Sequence, residues 1–183
     1  PLRRLDGRVG GSPLNVAVGL ARLGRQVGYF TKNSTDLFGR RILAFLQQER
    51  VDTSLIVPTA RNSTLAMVEL DKGGSASYAF YTGGTADRSL EMGDLPAQLP
   101  AGVRAIHIGS YTTATEPTAS SLVALVKRER DRRFISYDPN IRPSIEPDLD
   151  IWRARIASLT GTAHLLKLSA EDAGLLYPRQ SIE

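Results

Sequence analysis

Along most of its 183 residues the chain changes apolar period again and again, from the helical spacing of about 3.6 residues to short β-prone runs and back. Few architectures accommodate that alternation. Strands separated by helices return in the same direction, which makes a largely parallel sheet with helices packed on its faces, an α/β fold. Ser12 and Pro13 read as the N-cap and first residue of a helix carried by Leu14 to Leu23 and ended by Gly24. Val27 to Phe30 reads as a strand. Asp36 reads as the cap of a second helix, with Leu37, Phe38, Ile42, Leu43, Phe45 and Leu46 on one face, and Leu55 to Val57 as a short strand. After Pro100 the alternation resumes with strands over Ala105 to Ile108, Phe134 to Tyr137 and Ala163 to Leu168. The helices between and after them run from Pro117 to about Arg130, from Asp150 to about Leu159, and over Ala170 to Leu176.

One stretch breaks the pattern. Thr64 to Leu70 and Ala76 to Thr82 are β-prone runs with only Asp71 to Ser75 between them. No helix can form in that gap, so the two runs pair antiparallel as a hairpin and stand apart from the parallel layer as a small flap, at about residues 62–88.

A chain of this length buries roughly 70% of its unfolded surface, enough for one domain without covalent staples. It has no cysteine, which removes disulfides, thiolate nucleophiles and cysteine-ligated metal, and fits a reducing compartment. His107 and His164 lie far apart in sequence, which argues against a histidine-rich metal site. The net charge of +4 suits an anionic ligand but is too small an excess for a nucleic-acid footprint. Lys127, Arg128, Arg130, Arg132 and Arg133, interrupted by Glu129 and Asp131, read as a solvated helix end. No stretch approaches the ~20 apolar residues of a membrane span, and Pro1 to Arg8 lacks the pattern of a secretory signal, so a cytoplasmic protein is expected. Because the chain begins at Pro1, it reads as part of a longer protein.

In an open parallel sheet ligands sit beyond the carboxyl ends of the strands, where helix N-termini aim free N–H groups. Three such ends are polar here: Gly109-Ser110-Tyr111-Thr112-Thr113, then Asp138-Pro139-Asn140-Ile141-Arg142-Pro143, then Lys167 and Ser169 followed by Glu171 and Asp172. Hydroxyl, amide, guanidinium and carboxylate together suit a polyhydroxylated substrate and a charged phosphoryl group better than an apolar ligand. Gly10 and Gly11 before the first helix serve either a tight turn or a loop that lets backbone approach a ligand, with Asn15 one turn in. They match neither the phosphate-loop pattern nor the dinucleotide fingerprint. Two prolines stiffen the Asp138 to Pro143 loop, whose bland reading is a turn with an exposed ion pair. Ser169, Glu171 and Asp172 read equally as an N-capped helix with acids at its positive end. The flap is either a surface feature or a lid or subunit contact. His107 and Trp152 read as packing residues.

Taken in order, these segments resemble the PfkB, or ribokinase-like, carbohydrate kinase family, and most closely its fructokinase branch. The resemblance is carried by Gly10-Gly11-Ser12-Pro13-Leu14-Asn15 running to Gly24, Asp36-Leu37-Phe38-Gly39, Tyr81 to Asp87, the Asp138 to Pro143 run, and Lys167 to Asp172. It spans nearly the whole chain. It implies a ribokinase-like αβα sandwich with a mostly parallel sheet and a small β-hairpin lid, here incomplete, and transfer of the γ-phosphoryl group of MgATP to a sugar hydroxyl. By motif match, Gly10, Gly11 and Asn15 contact the sugar, Tyr81 closes over it from the lid, Ser110 lies at the sugar site, and Arg142 approaches the sugar or the moving phosphoryl group. Lys167, Ser169, Glu171 and Asp172 fall at the nucleotide phosphates and magnesium. There Ser169 and Asp172 stand where the family carries Asn-x-x-Glu.

The chain departs from the pattern in two ways. Thr82 stands where the fructokinase-like lid carries an arginine. The family's opening strand with a sugar-binding aspartate is expected before Pro1, and its Gly-Ala-Gly-Asp segment, which supplies the anion hole and the catalytic base, is expected beyond Glu183. A full-length sugar kinase follows, with residues 1–183 alone expected to be inactive. Its partners are a sugar and ATP, with no nucleic acid or membrane, and a homodimer can form through the lid. The alternatives are a 2-keto-3-deoxygluconate or other PfkB-type kinase and a non-catalytic sugar-binding module.

Overall fold

The computed structural model describes residues 6–70 and 76–178. In chain order its elements are α1 (Ser12–Arg22), β1 (Lys32–Ser34), α2 (Leu37–Gln48), β2 (Val57–Thr59), β3 (Leu65–Leu70), β4 (Ala76–Tyr81), β5 (Ala105–Gly109), α3 (Thr118–Glu129), β6 (Phe134–Asp138), α4 (Leu149–Thr160), β7 (Leu165–Leu166) and α5 (Ala170–Leu176). The strands β5, β6 and β7 form a parallel sheet in that order, with Ala105 opposite Phe134, Gly109 opposite Asp138 and Tyr137 opposite Leu166. A second parallel pair joins β1 to β2. Parallel neighbours need a crossover between them, and α2, α3 and α4 supply those between β1 and β2, β5 and β6, and β6 and β7. Among the described residues only β3 and β4 pair antiparallel, from Leu65–Tyr81 to Leu70–Ala76, as the hairpin expectation requires. The turn expected over Asp71 to Ser75 lies outside the described residues.

Several boundaries move. The strand expected over Val27 to Phe30 reduces to a bridge between Gly28 and Asp52, and regular pairing starts only at Lys32. The cause lies in the partner segment. There the N–H of Ile56 turns back to Thr53 O at 3.0 Å, so the ladder breaks and resumes at Val57, which also displaces the expected Leu55 to Val57 strand. The strand expected over Ala163 to Leu168 shortens to Leu165–Leu166, although His164 N and Lys167 N still donate to Ile135 O and Tyr137 O. Gly11, not Ser12, caps α1: the Asn15 N–H that a Ser12 cap would need already donates to Gly11 O at 2.8 Å. Asp36 does cap α2, accepting the Gly39 N–H at 2.7 Å.

The sheet face formed by Ile108, Ile135 and Tyr137 packs under Val126 of α3, Trp152, Ile156 and Leu159 of α4, and Leu176 of α5. Trp152 is fully buried and spends its indole N–H on Glu146 O at 2.9 Å. A second core joins Leu14, Ala17 and Val18 of α1 to Leu46 of α2 and Val51. On the opposite face of β6 and β7, Phe134 and Leu165 remain about half exposed, and His107 Nδ1 meets Ser136 Oγ at 2.9 Å. The basic run is only partly solvated: Glu129 is buried and takes the Arg128 Nε–H at 2.8 Å and the Arg133 guanidinium. Two bonds to one buried carboxylate remove those arginines from the free surface charge. Among the described residues no helix is long and apolar enough to cross a membrane.

Candidate active site

Parallel pairing brings the carboxyl ends of β5, β6 and β7 side by side, and each end continues into one of the polar loops picked out in the sequence. Gly109 and Asp138 are in register, and the approach is so close that a Cβ at position 109 would sit 2.3 Å from Asp138 O. Glycine is required there. The chain then turns sharply at Ser110, whose φ of 66° places a non-glycine residue in the left-handed region while its N–H donates to Asp138 O at 3.0 Å. Strain of this kind persists only where surrounding bonds over-determine it. Here Thr113 N–H and its hydroxyl both return to Ser110 O, at 3.0 and 2.8 Å. Ser110 is buried.

The second loop is equally fixed. Asn140, with φ 41°, donates its N–H to Asp138 Oδ1 at 3.2 Å, and Ile141 donates its N–H to Asp172 Oδ1 at 2.9 Å. Arg142 is half-buried and its guanidinium folds back onto Ile141 O at 2.8 Å. Lys167, from the third strand end, reaches across to Asp138 Oδ2 at 3.0 Å. Ser169 and Asp172 form a reciprocal capping box on α5. Asp172 is 3% exposed, and its two oxygens accept from the N–H groups of Ile141 and Ser169, so it braces one loop against the other. Glu171 beside it is exposed. Among the described residues, no group of three or more His, Asp or Glu side chains is arranged to hold a metal ion.

The glycine loop lies at the start of α1, which packs beside β5. Gly11 adopts φ 138°, which L-residues with a side chain avoid, and both Gly10 and Asn15 are exposed. Tyr81 ends the lid strand β4 with 63% of its surface exposed. No hydrogen bond joins Asn15 or Tyr81 to Ser110 or Arg142 among the described residues. The structure therefore ties the three strand-end loops together through Asp138, which meets Ser110 and Lys167, and through Asp172, which meets Ile141 and Ser169, whereas among the described residues the Arg142 guanidinium bonds only main-chain oxygens of its own loop.

One participant was quoted in the sequence without a role. Asp87, in a short 3-10 turn over Ala86–Arg88 below the lid, accepts the Thr64 hydroxyl at 2.5 Å and the Tyr111 phenol. Burial first, and then the charge of Asp87, push the Tyr111 and Tyr29 phenols well above their ordinary pKa. The only sequence signal was a lone acid closing a Gly-Gly-Thr-Ala run. Burial lowers the pKa of His107, partly offset by Asp138, which leaves its ring neutral at ordinary pH.

The chain matches the family described as pfkB family carbohydrate kinase over residues 3–183. It is 39% identical over 163 residues to a fructokinase of Rhizobium leguminosarum bv. trifolii, covering 89% of this chain and 49% of that protein. It is 36% identical over 165 residues to a fructokinase of Salmonella typhimurium, covering 89% and 53%. Its structure is similar to that of a fructokinase from Xylella fastidiosa, with TM-score 0.84 and 28% identity over 92% of this chain and 55% of the other. It is also similar to a Vibrio cholerae fructokinase in its fructose, ADP and calcium ion bound form, with TM-score 0.80 and 28% identity over 94% and 56%. The chain spans about half the length of the curated relatives it matches.

Proposed function

Because the chain belongs to the pfkB family of carbohydrate kinases, we propose that the protein containing it is a fructokinase-like enzyme that moves the γ-phosphoryl group of ATP to a sugar hydroxyl. The observation that supports the reading is the row of three adjacent parallel strand ends, each opening into a braced polar loop, with a hairpin tied to the first loop through Asp87 and Tyr111. The sugar lies on the Ser110 side, where Gly10 and Gly11 let main chain come close, Asn15 offers an amide, and Tyr81 covers the guest from above. Arg142 leaves its present partner, Ile141 O, to meet the charge that spreads over the transferred oxygens. Lys167, Ser169, Glu171 and Asp172 face the nucleotide phosphates, with Mg2+ arriving as part of the ATP substrate. Asp172 acts there by bracing, because main-chain N–H groups already occupy its oxygens. Phosphoryl transfer needs little beyond position and charge from the protein, apart from one carboxylate that takes the proton of the attacking hydroxyl. No Gly-Ala-Gly-Asp occurs in residues 1–183. Without such a base, residues 1–183 by themselves are expected to turn over sugar slower by ~10²-fold or more. Apolar side chains exposed on the hairpin, Met67, Val68 and Tyr78, support pairing of two copies through the lid.

ADP release by the full-length protein, measured over fructose, 2-keto-3-deoxygluconate and nucleosides, tests this reading. Fructose is the expected substrate, although Thr82 lacks the charge of an arginine and widens the choice. Asn15→Ala is expected to raise the sugar KM, and Arg142→Ala to lower kcat by about 10²-fold with little change in the KM for ATP. Saturable sugar binding in calorimetry, with no nucleotide binding and no ADP release, would instead make the protein a non-catalytic sugar-binding module.

A further inference from the structure

We propose that Asp87 is a positioning residue that sets the angle of the lid over the sugar loop, by clamping the foot of β3 to Tyr111, the neighbour of Ser110. This rests on the sugar-kinase reading above. Asp87 gathers hydroxyls from three parts of the chain: Thr64 just before β3 at 2.5 Å, Tyr111 just after the strained Ser110, and Thr118 at the start of α3, which donates to the Asp87 main-chain oxygen at 3.0 Å. The Thr64 hydroxyl also lies 2.8 Å from Thr85 Oγ1, but it has one proton, and the shorter contact to a carboxylate claims it.

The other anchors of the lid foot do different work. Ser63 is held by Asp36 at the start of α2, while Thr82 O accepts from Arg88 and Thr85 at the base of the lid itself. The bond from Tyr111 to Asp87 joins the lid foot to the loop 109–113, with the Thr64 hydroxyl close to the same phenol. Its strength follows from its chemistry. A carboxylate acceptor roughly doubles the worth of a hydrogen bond, and a phenol kept protonated by burial stays a donor across the working pH range. Ser110 cannot relax away from the pull, because Asp138 and Thr113 already fix it from both sides. Lid tilt and sugar loop therefore move as one body.

The test uses the full-length protein with Asp87→Asn, Tyr111→Phe and the double substitution, each assayed for both substrates and for amide hydrogen exchange. The expected result is a sugar KM about tenfold higher in each single variant, an unchanged KM for ATP, and a double variant no worse than Asp87→Asn. Exchange should quicken at residues 64–70 and 76–82 while Phe134–Asp138 keeps its protection. A sugar KM within about twofold of the parent in both variants overturns the clamp, as does a parallel loss in kcat and both KM values accompanied by a lower Tm. If Asp87→Asn does not fold, Tyr111→Phe decides alone, since it removes one hydroxyl. If the parent phosphorylates no sugar, the kinase reading fails, and the exchange measurement still decides: quickened lid exchange in Tyr111→Phe keeps the clamp, and unchanged exchange ends it.

Discussion

Asp36 stands where α2 begins, and its carboxylate holds two elements together. Oδ1 accepts the Gly39 N–H at 2.7 Å and the Ser63 hydroxyl at 2.8 Å, while Oδ2 accepts the Ser63 N–H at 2.8 Å. Burial works to raise the pKa of this group, but the hydrogen bonds from Gly39, Ser63 and Ser34 outweigh it and bring the value from 3.8 to about 2. A depressed carboxylate pKa adds stability above the ordinary value and loses it as pH falls toward the native one. That fall in pKa is worth roughly 2.4 kcal/mol at neutral pH, and partial exposure of the side chain discounts it to about 2 kcal/mol. Asp36→Asn keeps an oxygen for the helix cap and removes the charge. The variant should therefore lose about 2 kcal/mol of unfolding free energy at pH 7 but only about 1 kcal/mol near pH 3, where half of the contribution is already gone from the parent. Urea unfolding of parent and variant at both pH values, followed by circular dichroism, measures the four numbers required. A gap of the same size at the two pH values would refute the reasoning, and so would a gap below about 0.5 kcal/mol at pH 7.

Gly109→Ala places a methyl 2.3 Å from Asp138 O and should cost about 3 kcal/mol, because backbone rather than a flexible side chain has to yield. A thermal midpoint within about 2 °C of the parent would contradict that close approach. Trp152→Ala empties the centre of the larger core and leaves Glu146 O without its donor, for a loss of about 4 kcal/mol read from chemical unfolding.

Element order and type were legible because period and punctuation agreed. Asp36 and Ser169 both cap helices, and α5 runs over Ala170–Leu176 as expected. The hairpin was equally readable from two β-prone runs with no room for a helix between them. Strand ends were harder, since pairing belongs to two segments at once: the turn at Thr53 to Ile56 decides where β1 and β2 meet, and nothing near Val27 announces it. The polar strand ends were visible as a set, yet their internal bracing was not. Asp172 looked like a free acid at a helix start and is a buried acceptor of main-chain N–H groups. Arg133 looked like solvated charge and pairs with a buried Glu129. The role of Asp87 escaped notice because its partners, Thr64 and Tyr111, lie more than twenty residues away on either side. Contacts of that range leave no local pattern.

The staple that Asp172 forms between Ile141 and Ser169 also has a bearing on descent. Positions 141, 169 and 172 are one mechanical unit although 31 residues separate its outermost members. A lineage that alters the α5 cap also releases the Ile141 amide, next to Arg142, at the opposite end. Substitutions on the two sides should therefore be inherited in step, and a chimaera that exchanges one side alone should inherit a slack loop.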